Sequence, residues 1–397
     1  MRRQHLRQIR VALAAEGHLG MAVPVQYGGN GRPAVAQPLL QFICGYHDVD
    51  LRDSTGLGHG RLLAEHADPQ LRDLWLPRLL AGAVAGIAVT ERHGGSQVHR
   101  TRTAAVSDRK GSWTVTGTKT WISRLSEAAL FCVFFLDPAG RLTSAVIDAA
   151  SPGLSRRPVT PAGLSGWAWG ELRLDRVQVQ PCDILGAPGD GMRILRDHFA
   201  HYRPLVAATA LGAAAGVHDQ VSASLDQRRE VGMITDLRDN ALITLGRTYA
   251  GINAAFLAAL TAHRLAETRA PQAHLWGCAV KAYGVDTAYQ AASEVALLAG
   301  AAGFAADSFI AKARRDLNAL LYADGIHDSL YRSGGRCLVG TPPSRVEAPH
   351  LVSVSRLPRR VRVIPVLQRG NSSGSDGVHA CRDPAGQQRR YQRRHLI

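Results

Sequence analysis

Between Ala88 and Val98 the chain reads Ala-Val-Thr-Glu-Arg-His-Gly-Gly-Ser-Gln-Val, and these residue types can do chemistry. A hydroxyl and a carboxylate lead into Gly94 and Gly95, where missing side chains let backbone amides approach a polar ligand closely. A flat indole follows at Trp121 with a hydroxyl two residues on at Ser123. The plainer reading of the same residues is a glycine-rich β-turn beside a core tryptophan. His198 and His201 stand at i, i+3 and share a helix face. Two histidines are half a zinc site, and with no third or fourth ligand evident, no metal is expected. Six cysteines are scattered without a CxxC pair, which reads as buried, reduced thiols in a cytoplasmic protein.

The elements around these residues fall into successive blocks. Leu6, Ile9, Leu13 and Leu19 recur at helical spacing, and further helical patterns cover Pro38 to Cys44, the stretch from Gly56, and the stretch opened by Asp68-Pro69. From about 85 to 185 short β-like runs take over: Ile87–Thr90, Trp113–Gly117, Ala129–Phe135, Thr143–Ile147 and Gly170–Val179, separated by turns such as Asp137-Pro-Ala-Gly140. Alanine-rich helical patterns then cover roughly 191–222, 233–267, 274–299 and 305–320. The fold class expected is mixed α and β. An N-terminal helical domain (1–84) precedes a middle antiparallel β domain (85–187), a C-terminal helical bundle (188–335) and an irregular basic tail (336–397).

The formal charge of +15 raises nucleic acid as a partner, but its distribution argues against one. Residues 336–397 hold twelve arginines against Glu347, Asp376 and Asp383, a net of +9, so the body is only mildly basic. There are four lysines in all: Lys110, Lys119, Lys281 and Lys312. No run of about eighteen apolar residues is present, so no membrane span is expected.

Several strings, taken in order, resemble the acyl-CoA dehydrogenase family. Val89-Thr-Glu-Arg-His-Gly-Gly-Ser-Gln-Val98 is similar to that family's flavin loop. Gly117-Thr-Lys119 with Trp121-Ile-Ser123 resembles its G-x-K-x-W-I-T strand. Leu174–Val179 and Ile184–Met192 resemble its exit from the β domain, and Gly300-Ala-Ala-Gly-Phe304 with Arg315-Asp316 its G-G-x-G-[YF] and R-D elements. The resemblance spans about residues 15–335.

It implies an FAD-dependent enzyme in which Val89, Thr90, Trp121 and Ser123 line the flavin and Ser96 helps bind the pyrophosphate. Arg228, in Arg228-Arg-Glu-Val-Gly232, would reach the FAD diphosphate of a neighbouring subunit in a homodimer or homotetramer. A solvated helix-end arginine is the alternative. Counting on from Arg315-Asp316 places Asp324, followed by Gly325, where the family carries the glutamate that removes the substrate α-proton. An exposed helix cap is the ordinary alternative. Aspartate is one methylene shorter, roughly 1.5 Å in reach. Tyr202 occupies the position at which some relatives carry the base on an earlier helix. Arg203 persists from the substrate-binding pair, while its partner aspartate falls at Ala200.

The activity implied is α,β-dehydrogenation of an acyl thioester, carried on CoA or on an acyl-carrier protein. A nitroalkane-oxidase-like flavin oxidase, or a degenerate non-catalytic scaffold, are the alternatives.

Overall fold

The structure is a computed structural model that describes residues 2–33, 35–95, 97–107, 112–236 and 238–339. Ser96, and the basic tail beyond Val339, lie outside the described residues.

Four helices open the chain: α1 (Arg2–Ala15), α2 (Ala36–His47), α3 (Arg61–His66) and α4 (Pro69–Leu80). The start of α4 is set locally. Pro69 occupies the first turn, and Asp68 accepts a hydrogen bond from the Gln70 amide at 2.9 Å. Its apolar face, Leu71, Trp75, Leu76 and Leu79, packs with Leu62 and Leu63 of α3 against Leu130, Cys132 and Phe134 of the sheet.

Seven strands follow: β1 (Val84–Ala88), β2 (Ala104–Ser107), β3 (Trp113–Ser123), β4 (Ala128–Leu136), β5 (Leu142–Asp148), β6 (Leu154–Val159) and β7 (Trp169–Val179). They form one sheet in the order β1-β4-β2-β3-β7-β6, with β5 also on β4. The sheet is mixed where the hairpin-like turns suggested a purely antiparallel one. β1 and β2 each pair parallel to β4, and the other pairs are antiparallel. β1 arrives from a helix, not from a hairpin, and its long route to β4 allows the parallel pairing. β4 is buried on both faces from Leu130 to Phe135, hence its unbroken apolar run. β2 and β6 carry no such signal; β6 is a polar edge strand containing Pro158.

The second helical block holds α5 (Gly191–Glu230), α6 (Asp239–Glu267), α7 (Ala273–Leu298), α8 (Phe309–Leu320) and α9 (His327–Val339). α5 is 40 residues long and meets α2 backbone to backbone. A Cβ on Gly45 would lie 1.9 Å from the Thr209 carbonyl oxygen, and one on Gly212 would lie 2.0 Å from that of Phe42. Small residues at this crossing lock α2 onto the middle of α5, next to the charged residues described below. α9 carries no alanine-rich pattern and continues to Val339, three residues past the expected start of the tail at 336. Among the described residues no helix is long and apolar enough to cross a membrane.

Candidate active site

One wall of the site is the end of β1 laced onto β3. Lys119 Nζ donates to the Val89 carbonyl at 3.0 Å and to Glu91 Oε1 at 2.8 Å. Glu91 also accepts from the amides of Arg102 (2.8 Å) and Thr103 (3.0 Å) and from Thr103 Oγ1 (2.6 Å). Burial opposes ionisation of Glu91, but Lys119 and Thr103 outweigh it and bring its pKa down to about 2. The Thr120 amide closes the lacing on the Thr90 carbonyl at 2.8 Å.

The next residue is Trp121. The β3–β7 register slips between Lys119 and Ile122, and within that irregularity Trp121 adopts φ +60° with its side chain region 64% exposed. A left-handed backbone costs a bulky residue free energy, and a bulge re-aims a side chain out of its strand's alternation. The core tryptophan of the plainer reading is therefore not what folds. Ser123 is buried, and its Oγ accepts from Arg124 Nη1 at 2.9 Å. Gly94 and Gly95 both donate their amides to the Glu91 carbonyl, at 3.1 and 3.2 Å, so these two amides close a local turn.

The other wall is a cluster of charges from five distant segments. Asp324 Oδ2 accepts from Arg52 Nη1 at 3.2 Å, and the two side chains are only 11% and 5% exposed. Asp324 is not an exposed helix cap. It sits in the turn before α9 at φ +58°, with Gly325 at φ +115°. The backbone there is held twice: Arg203 Nε donates to the Asp324 carbonyl at 3.2 Å, and Lys281 Nζ donates to those of Leu320 and Gly325 at 2.8 Å each. Burial drives the Lys281 pKa down to about 7, with Asp324 opposing the shift. Arg203 Nη1 also donates to Cys278 Sγ at 3.2 Å.

Beside Arg52, Asp53 is buried in an ion pair with Arg124 and accepts from the Tyr202 hydroxyl at 2.9 and 3.0 Å. Burial would raise the Asp53 pKa, but Arg124 and Arg52 bring it to about 2. The His59 ring lies 4.6 Å from that of Tyr202, and His59 Nδ1 is 3.0 Å from His198 Nε2. Burial lowers the pKa of both imidazoles, to about 4 for His59. His201 turns instead to the Asp197 carbonyl (3.0 Å) and Glu267 (3.4 Å). The two histidines thus serve separate networks. Elsewhere Asp48, Asp50 and Asp316 stand close enough to resemble a metal site, but the Lys312 ammonium lies among them.

A cavity of about 380 Å³ opens beside this cluster. Tyr202, Asp53 and His198 line it; Asp324, Arg203 and Trp121 do not.

The family models for the acyl-CoA dehydrogenase middle domain and C-terminal domain match residues 86–177 and 189–336. A probable acyl-CoA dehydrogenase of Mycobacterium leprae is 28% identical over 319 residues, 77% of this chain and 80% of the relative. The chain belongs to the acyl-CoA dehydrogenase family. The fold agrees. A glutaryl-CoA dehydrogenase from Mycobacterium smegmatis, solved in complex with FADH2, superposes with a TM-score of 0.77 at 22% identity, covering 87% of this chain and 90% of that one. A prolyl acyl carrier protein oxidase superposes at 0.72 and 19% identity, covering 85% and 98%.

Acyl-CoA dehydrogenases are flavin-dependent oxidoreductases that use FAD. The wall formed by Val89, Thr90 and Trp121 suits that cofactor, because a strained, outward-facing indole beside half-buried Val89 and Thr90 offers a platform for a flat ring. Arg228, by contrast, is turned inward: its Nη2 donates to the Ala299 carbonyl at 2.9 Å, at the end of α7. Arg52, Asp53, His59, Arg124 and Lys281 did not stand out in the sequence. One signal was there. In a chain with four lysines, Lys119 and Lys281 are both fully buried, at the two walls of the site.

Proposed function

We propose that this acyl-CoA dehydrogenase family member removes the elements of hydrogen from Cα and Cβ of an acyl thioester, with Asp324 taking the α-proton. The observation that carries the reading is the holding of Asp324: its backbone is clamped by Arg203 and Lys281 and its carboxylate rests on Arg52. Arg52 fixes the direction of the carboxylate, and with the side chain only 11% exposed little water reaches it. The left-handed turn at Asp324-Gly325 shapes the backbone around a side chain one methylene short. When bound, FAD would supply the hydride acceptor. Val89, Thr90 and Trp121 would support its ring, and Glu91 and Lys119 would keep that wall rigid.

The thioester carrier is CoA or an acyl-carrier protein. The carrier named for one structural neighbour makes the second worth testing, and the inward Arg203 leaves no arginine–aspartate pair at this point of α5 for a pantetheine arm. The test is anaerobic bleaching of the flavin by one acyl group on each carrier, in wild type and Asp324→Asn. Bleaching lost in the variant with flavin retained supports the assignment; unchanged bleaching removes Asp324 from the mechanism. Oxygen consumption with nitroalkanes in a parallel sample would mark the oxidase instead.

A further inference from the structure

We propose that the cavity beside α5 takes a hydrogen-bonding group on the acyl chain, recognised through His198, so that the preferred substrate is a hydroxy- or amide-bearing thioester rather than a plain alkyl one. The inference rests on the reading of Asp324 as the base and adds to it the chemistry of the acyl group.

The cavity has two kinds of wall. Leu19, Val23, Leu57 and Leu205 supply apolar lining, and Gln37 and His198 supply polar lining. His198 is 1% exposed, and only its Nε2 is engaged, on His59; Nδ1 has no partner. Gln37 Oε1, Arg61 Nε and Arg72 Nε, in residues lining the same cavity, are also buried without partners. Buried polar atoms are nearly always paired, so four orphans around one void mark a place where a ligand completes the set. A saturated alkyl chain would leave them unpaired, while a hydroxyl or amide both donates and accepts.

The carboxylates in the walls already have cationic partners. Asp53 pairs with Arg124, and Arg61 reaches both Glu65 and Glu267, at 2.6 and 2.9 Å. Burial also keeps His59 and His198 in their uncharged forms. Arg72 and Arg269 line the cavity as well, and a hydroxyl or amide oxygen can accept from a guanidinium as it can from an imidazole N–H.

The test is calorimetric binding to the FAD-loaded Asp324→Asn protein, in which turnover is expected to be slow. The probes are butyryl-CoA, 4-hydroxybutyryl-CoA, hexanoyl-CoA and 6-hydroxyhexanoyl-CoA. At one chain length the hydroxy ester should bind about tenfold more tightly than its alkyl partner. Adding His198→Leu should shrink that preference to within about twofold, and His198→Gln should keep it. Should the leucine variant fail to fold, Gln37→Leu reads the same wall. Equal binding of the two esters at both lengths, no binding of either, or a preference that survives His198→Leu overturns the proposal. Bleaching of the flavin by the same esters, compared between wild type and Asp324→Asn, reports separately on Asp324, so the two readings can fail independently.

Discussion

The two walls of the site are built by opposite strategies. On the side proposed for the flavin the residues lie within 34 positions of one another, from Val89 to Ser123, and one buried pair, Lys119 with Glu91, ties them together. On the side proposed for the substrate Arg52, Asp53, Arg124, Tyr202, Lys281 and Asp324 come from the N-terminal block, the sheet, α5, α7 and the turn before α9. The first wall is a local motif pinned to a rigid sheet. The second exists only when every segment is in place, and it offers a charged and hydroxylated surface where Cα chemistry would occur. The difference suggests a division of labour in which the sheet fixes the cofactor side and the assembled charges define the substrate.

The sharpest way to break this comparison is at the base. Asp324→Asn should lower the rate of flavin reduction by roughly 100- to 10,000-fold, with flavin absorbance per protein unchanged. Loss of flavin along with rate would show that the two walls are not separable. The complementary test is Lys119→Met on the flavin side. It leaves Glu91 buried without its cation, a change worth about 3–5 kcal/mol, and should both lower the melting temperature and release flavin. If Lys119→Met loses stability yet keeps its flavin, the lacing of Val89 and Thr90 onto β3 does not matter for the cofactor.

The same contrast explains what the sequence disclosed. The flavin-side strings are contiguous, so their residue types and spacing survive in one dimension, and Trp121 and Ser123 could be singled out directly. Even there, the bulge that turns Trp121 outward is a register slip between β3 and β7, which requires knowledge of the partner strand. Asp324 was reached only by counting along the chain from Arg315-Asp316. Its partner Arg52 lies 272 residues away, and nothing in Asp50-Leu-Arg-Asp53 marks which of those charges is paired and with what. For Arg228 the sequence offers type and spacing but not its contact with the Ala299 carbonyl, 71 residues away. The fold class was legible because long apolar periodicities set it. The parallel pairing of β1 and β2 with β4 was not, because strand direction depends on chain path.

Acid should separate the walls by a smaller margin. The His59 pKa falls from 6.5 to about 4 on folding, chiefly through burial. The unfolded chain therefore binds a proton that the folded one refuses, and stability is lost as pH falls from about 6.5 towards 4, by up to about 3 kcal/mol from this group. His198 shifts in the same direction, and His263 falls to about 4 also. Asp53 and Glu91, held near 2, give up their stabilisation only at lower pH, below about 4. Denaturant titrations between pH 7 and 4 should show wild-type stability falling and His59→Gln falling less steeply. Identical slopes would mean that His59 is already protonated in the folded protein.

The smallest effect tests whether the flavin wall stores strain. Trp121 is held at φ +60°, where a side chain costs about 1–2 kcal/mol and glycine costs nothing sterically. Its indole is mostly exposed, so little burial is lost on removing it. Glycine also loses more chain entropy on folding, which offsets part of the relief. The net gain for Trp121→Gly in the flavin-free protein is then about 0.5–1 kcal/mol, or a rise in melting temperature of roughly 1 °C for a body of this size. Flavin retention should move the opposite way, because the platform is gone. A variant that is both more stable when empty and poorer at holding flavin shows a residue kept in an unfavourable conformation for the sake of its ligand. If the empty protein is destabilised instead, the indole contributes packing that outweighs its backbone strain, and the flavin wall is a structural element first.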